Sequence, residues 1–182
     1  MDNGASSYRR FLDGDEKAFD EIMNGLFFGL VYFINGYVHN AYDAEDIAMD
    51  CFSDLIVDRK KYNFKVSLKT YLYMLGKSRA LNYLKHKKVL EFTDIAEAGD
   101  IKDEQSKLEE KVLENDRKRI IAGALEKLPD DMRTAVHLIY FEDMTYEEAA
   151  KIMKKNKKQL DNLLYRAKKE LRAILGKECD LL

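Results

Sequence analysis

A single proline, Pro129, stands in 182 residues, so almost nothing in the chain breaks a helix. With only 9 glycines as well, long uninterrupted helices are the default. Apolar residues recur nearly everywhere at the 3.6-residue helical period, and no run alternates convincingly as a strand does. The expected fold class is all-α. The length suits one compact domain or two small ones of about 70–90 residues each. An apolar share of 46% with 35% charged residues belongs to a folded chain, not a disordered one.

Several functional classes drop out early. Cys51 and Cys179 lie far apart, form no metal-ligand spacing, and read as free thiols in a reducing cytoplasm. No metal or other cofactor is expected. Residues 1–10 lack the apolar core of a signal peptide. The longest apolar run, Gly25 to Ile34, is about half of a membrane span and reads as a buried helix, so no direct membrane insertion is expected. His39, His86 and His137 are scattered, and no paired carboxylates, glycine-rich phosphate loop or nucleophile motif accompanies them. The chain is expected to carry no catalytic residues.

The net charge of −2 hides a strong segmentation. Residues 1–58 hold 3 basic and 12 acidic residues; residues 59–88 hold 10 basic residues and no acid. Residues 92–115 hold 8 acids against 3 bases, with few apolar residues before Leu108. Residues 151–172 hold 9 bases and 2 acids. This order predicts a helical domain over 1–91, a flexible acidic linker over 92–115 and a second helical domain over 116–182. Pro129 followed by Asp130 and Asp131 marks a helix start within the second.

In the first domain, Asp43 is a candidate N-cap for a helix running to about Val57. Ile47, Ala48, Cys51, Phe52 and Leu55 share its apolar face, and Asp43, Asp46, Asp50 and Asp54 line another. Such a stripe is either an ordinary solvated face or a dock for a basic partner. A loop with Arg59, Lys60, Lys61, Asn63, Phe64 and Lys65 follows, then a helix from about Ser67 to Lys88 with Leu68, Leu72, Leu75, Leu81 and Leu84 as apolar positions. Its cations are interleaved with Tyr71, Tyr73 and Tyr83. Cations for phosphates, rings for unpaired bases and amides for base edges are what single-stranded nucleic acid requires.

In the second domain, Thr145 and Glu148 form a capping-box pattern opening a short helix, and Asn156 with Gln159 repeats it at the next helix. That helix is expected to bury Leu160, Leu163 or Leu164, Ala167, Leu171 and Ile174. Lys157, Lys158, Asp161, Asn162, Tyr165, Lys168 and Lys169 face outward. Two helices joined by a tight turn, the second basic and amphipathic, fit a DNA-reading helix-turn-helix.

Taken in order, these segments resemble bacterial RNA polymerase sigma factors of the sigma-70 family, in the small extracytoplasmic-function (ECF) class. Asp43-Ala44-Glu45-Asp46-Ile47-Ala48-Met49-Asp50-Cys51-Phe52 is similar to the family's polymerase-binding helix. Leu68 to Tyr73 and Ala80 to Lys85 are similar to its promoter-melting helix. Leu128-Pro129, Tyr140 to Ala150, and Leu164 to Leu171 are similar to its C-terminal domain. Met49 stands where the family usually has Gln, and Lys154 where its turn usually has Gly.

The resemblance implies a transcription initiation factor that binds core RNA polymerase, directs it to promoters and aids melting. Its partners would be the clamp helices of the largest polymerase subunit, the flap of the second largest, and promoter DNA, melted at −10 and duplex at −35. An anti-sigma factor is a further candidate partner. Polymerase contacts would fall on Asp43, Asp46, Met49, Asp50 and Asp54. The −10 contacts would fall on Asn63, Phe64, Lys65, Lys69, Tyr73, Lys77, Ser78, Asn82 and Lys85. The −35 contacts would fall on Asn156, Lys157, Lys158, Gln159, Asn162, Tyr165, Arg166, Lys168 and Lys169. The rival reading is a stand-alone helix-turn-helix regulator that binds duplex DNA without polymerase.

Overall fold

A computed structural model describes residues 4–93 and 116–176, and every regular element among them is helical. The chain divides into two compact units, Met1–Gln105 and Ser106–Leu182. Most of the segment expected to be an acidic linker, residues 94–115, lies outside the described residues.

The first unit contains α1 (Ala5–Leu12), α2 (Lys17–Val38), α3 (Ala41–Val57) and α4 (Leu68–Thr93). The apolar run Gly25–Ile34 lies within α2, the helix on which α1, α3 and α4 all pack. Its Ile22, Leu26, Leu30, Val31, Phe33 and Ile34 are buried. Gly76 lets α4 approach closely: a Cβ there would lie 2.9 Å from Leu30 Cδ1 and 3.1 Å from Ile34 Cδ1. The fully buried Tyr8 anchors α1, donating its hydroxyl hydrogen to the Leu55 carbonyl at 2.9 Å, with the Arg59 carbonyl 3.3 Å away.

Local signals explain the boundaries. The N-cap of α3 is Asn40, not Asp43: the Asn40 side chain accepts from the Asp43 backbone N–H at 3.2 Å. Asp43 therefore sits in the first turn, where a carboxylate still favours the helix dipole. Ser67 accepts from the Thr70 N–H at 3.1 Å and opens α4. That helix runs to Thr93, beyond the expected end near Lys88.

The second unit contains α5 (Asp116–Glu126), α6 (Asp130–Val136), a π-helical turn (His137–Phe141), α7 (Tyr146–Met153) and α8 (Lys157–Leu175). Pro129 is the N-cap of α6, and Asp130 and Asp131 occupy its first turn. Leu128, Met132, Ala135, Leu138, Ile152 and Leu160 form a core to which α6, α7 and α8 all contribute. Leu164 and Ala167 are buried, whereas Leu171 and Ile174 are only half-buried; Leu175 takes the last core position of α8.

Candidate nucleic-acid and docking interface

The acidic stripe of α3 is largely turned toward α4. Arg79 bridges two of its members, with Nη2 2.9 Å from Asp54 Oδ2 and Nη1 3.1 Å from Asp50 Oδ2. Lys61 reaches the same Asp54 oxygen at 3.1 Å. The Tyr83 hydroxyl donates to Asp43 Oδ2 at 2.6 Å. Burial works against the charge on Asp54, but hydrogen bonds from Arg79 and Lys61 outweigh it and hold the carboxyl below its ordinary range. Burial also pushes the Cys51 thiol up to about 12, so it stays protonated and unreactive.

The outward face of α3 therefore differs from a plain row of carboxylates. Tyr42, Met49 and Ile56 recur at seven-residue spacing and are 75%, 48% and 44% exposed. Asp46 is exposed between them, and Asp50 keeps most of its side chain in solvent while paired with Arg79. Of the expected polymerase contacts, Asp46, Met49 and Asp50 are outward, while Asp43 and Asp54 are half-buried.

The expected −10 residues divide similarly. In the loop before α4, the Asn63 side chain accepts from the Lys65 N–H at 3.1 Å, closing a small turn that puts Phe64 at φ 60°. Asn63 and Lys65 are exposed, and Phe64 packs its ring on Tyr62 at 4.5 Å between centroids. Ser78, Asn82 and Lys85 follow one another along an exposed face of α4. Lys69 and Lys77 are half-buried, Lys77 lying 6.0 Å above the Tyr37 ring. Tyr73 corrects the expectation: it is 0% exposed and packs on Phe33 at 4.9 Å, so it is core and offers no surface to DNA. Leu81, expected inside, is 39% exposed on the outer face.

In the second unit, both capping boxes form. Thr145 and Glu148 exchange hydrogen bonds at 3.0 and 3.3 Å. Asn156 and Gln159 do so at 2.9 Å in both directions. The turn between α7 and α8 is made by Lys154 in the left-handed conformation, φ 55°, the kind of position glycine favours. Lys155 is fixed by an ion pair to Asp131 at 3.0 Å. Lys157, Lys158, Asn162, Tyr165, Arg166, Lys168 and Lys169 are all exposed along α8. Asn156 and Gln159 are exposed too, but their side-chain oxygens serve the cap.

Sequence reasoning missed three partners. Arg79 and Tyr83 pair with carboxylates 29 and 40 residues away, which no local pattern reveals. Tyr140 lies under Lys168, 5.4 Å from ring centroid to Nζ, and hydrogen bonding to Tyr140 raises the lysine's pKa. Among the described residues, no cluster of His, Cys, Asp or Glu is arranged to hold a metal ion. No described helix is long and apolar enough to cross a membrane.

Comparison with known proteins gives the same two units in the same order. The family model for sigma-70 region 2 matches residues 29–89, and that for sigma-70 region 4 matches residues 118–171. The ECF RNA polymerase sigma factor SigM of Bacillus subtilis is 24% identical over 159 residues, 87% of this chain and 95% of the relative. The ECF RNA polymerase sigma-E factor of Escherichia coli K12 is 26% identical over 153 residues, 79% of each chain. Among solved structures, the sigma factor RpoE from Bartonella quintana, in complex with the anti-sigma factor NepR, shares the fold. Its TM-score is 0.63 at 19% identity, over 88% of this chain and 98% of that one. CnrH, in complex with the cytosolic domain of CnrY, does so at TM-score 0.59 and 16% identity, over 95% and 94%. With regions 2 and 4 both matched in order along a helical chain, this protein belongs to the sigma-70 family of RNA polymerase sigma factors, in its ECF class.

Proposed function

We propose a division of labour within this transcription initiation factor. The domain spanning residues 1–91 binds core RNA polymerase through the outward face of α3 and holds the melted −10 strand on the 63–65 loop and the Ser78–Asn82–Lys85 face of α4. The domain spanning 116–182 sets the exposed, basic side of α8 in the major groove of duplex −35 DNA. Residues 92–115 join them. The observation that carries this reading is the pairing of an acid- and apolar-faced α3 with the loop and helix that follow it, where residues 59–88 hold 10 cations and no acid. A polymerase surface and a nucleic acid want opposite charges, and α3 and α4 present them on adjoining elements.

RNA bond formation belongs to the polymerase, and this chain's relatives are sigma factors rather than enzymes. Work beside the polymerase is work in the cytoplasm. Two of the solved relatives carry a bound protein, the anti-sigma factor NepR in one and the cytosolic domain of CnrY in the other. An anti-sigma partner that covers the Tyr42–Met49–Ile56 line would block polymerase binding by this chain. The stand-alone regulator leaves the outward face of α3 without a task.

The reading is tested by titrating labelled chain with core RNA polymerase. Saturable one-to-one binding that disappears when Met49 and Ile56 are replaced by Asp supports it. Absence of any complex with core enzyme refutes it.

A further inference from the structure

Two arginines of the first unit are held in a reciprocal arrangement. Arg9 of α1 lies over the Phe64 ring of the loop, its guanidinium carbon 4.9 Å from the centroid. Arg59 of the loop lies over the Phe11 ring of α1 at 4.8 Å. Each element thus places a cation on the other's aromatic side chain. Between them, Tyr8 packs on Phe11, Tyr62 and Phe64 at 5.9, 5.6 and 6.1 Å.

The contrast with Arg10 is informative. Arg10 pairs with Glu21 at 3.0 Å and also with Asp15. Its neighbour Arg9 pairs with no described carboxylate, although residues 1–58 carry 12 acids. Arg59 likewise pairs with none among the described residues. A guanidinium held over a ring stays charged and keeps its N–H donors, and both arginines are exposed. Such a side chain can take a phosphate with little further ordering.

We propose that α1 belongs to the strand-binding surface: Arg9, over Phe64, and Arg59, over Phe11, are phosphate ligands that clamp the backbone of the melted −10 strand. The proposal rests on the reading of the 63–65 loop as a single-strand site and extends it to a helix outside that segment. Phe64, fixed by the turn at Asn63, carries Arg9, and Phe11 of α1 carries Arg59.

The test is the affinity of the full-length chain for a fluorescein-labelled, mixed-sequence single-stranded DNA 12-mer across a range of salt. Arg9→Ala and Arg59→Ala should each weaken binding about three- to tenfold at low salt and lower the log–log salt slope by about 0.7. Arg9→Lys should restore the slope, because charge returns without the planar fork. Arg10→Ala, which removes an ion-paired guanidinium, should leave the slope unchanged. Thermal melts of each variant separate a loosened loop from a missing phosphate ligand, since loosening alone does not restore a slope when lysine is supplied. If Arg9→Ala and Arg59→Ala keep the wild-type slope while Lys65→Ala and Lys69→Ala reduce it, α1 is off the strand and the proposal fails alone. If all four keep the slope, or the wild-type chain does not bind the strand, the loop reading fails and takes the proposal with it.

Discussion

Arg79 on α4 and Asp54 on α3 meet at 2.9 Å, and this pair decides which part of the acidic stripe faces outward. Arg79 also holds Asp50, so one guanidinium fixes two turns of α3 against α4. Among the described residues, Arg79→Ala leaves Asp54, whose side chain is 22% exposed, with Lys61 as its one remaining cation. Removing charge-assisted bonds of this kind costs about 1–3 kcal/mol. Urea unfolding should register that cost in the first unit.

The same carboxylate sets an acid dependence. Its folded pKa lies below the ordinary value of 3.8, so Asp54 stabilises the fold fully above that value. The contribution disappears as pH falls through the lower folded pKa. Stability of the wild-type chain should drop across that acid window, and Asp54→Asn should flatten that part of the profile. An unchanged profile in the variant would exclude Asp54 as its source.

Asp46 is the acidic residue of α3 that is exposed without being bridged to α4. Asp46→Lys should leave the unfolding midpoint near wild type and weaken core polymerase binding about tenfold, chiefly through a slower, salt-sensitive association rate. Asp50→Lys should do both: weaken the complex and destabilise the unit by placing a cation beside Arg79. Surface plasmon resonance with immobilised core enzyme reads the two rates separately.

On α8, Lys158 and Lys168 face outward at different distances from the cap. Replacing either with Ala should lower the salt slope of duplex promoter binding by about 0.9 for each phosphate that the lysine neutralises. Tyr140→Leu should weaken binding through Lys168 alone, and the effect should vanish in a Lys168→Ala background. A double-mutant cycle on duplex affinity checks this.

Lys154 adopts φ 55° where glycine would be unstrained. A left-handed non-glycine residue costs about 1–2 kcal/mol, partly offset by the greater freedom of glycine when unfolded. Lys154→Gly should therefore stabilise the second unit by about 0.5–1 kcal/mol. Asn156→Ala, which removes the side chain that caps α8, should destabilise it by about 1 kcal/mol. Calorimetry of the full chain resolves both.

Local chemistry is legible in the sequence, and long-range chemistry is not. Both capping boxes, the apolar face of α3 and the outward basic side of α8 follow from spacings of three and four residues, and all are present. The pairs Asp50–Arg79 and Asp43–Tyr83 span 29 and 40 residues, and only the packing of α3 on α4 brings them together. Residue type alone makes Tyr73 a base-stacking ring. Its position on α4 turns it toward Phe33 instead, because helix rotation is set by Leu68, Leu72 and Gly76 on the buried side. The π-helical turn at His137–Phe141 inserts an i to i+5 bond, Glu142 N–H to the His137 carbonyl at 3.1 Å, that no periodicity announces.

The most direct test of the account is run-off transcription from a pool of genomic promoter fragments, using sigma-free core polymerase with and without this chain. The account predicts discrete transcripts from a defined subset of fragments that appear only when the chain is added. It also predicts that these transcripts vanish with the combined Met49→Asp and Ile56→Asp variant. Transcription that is the same with and without the chain, at concentrations where core enzyme is saturated, would contradict it.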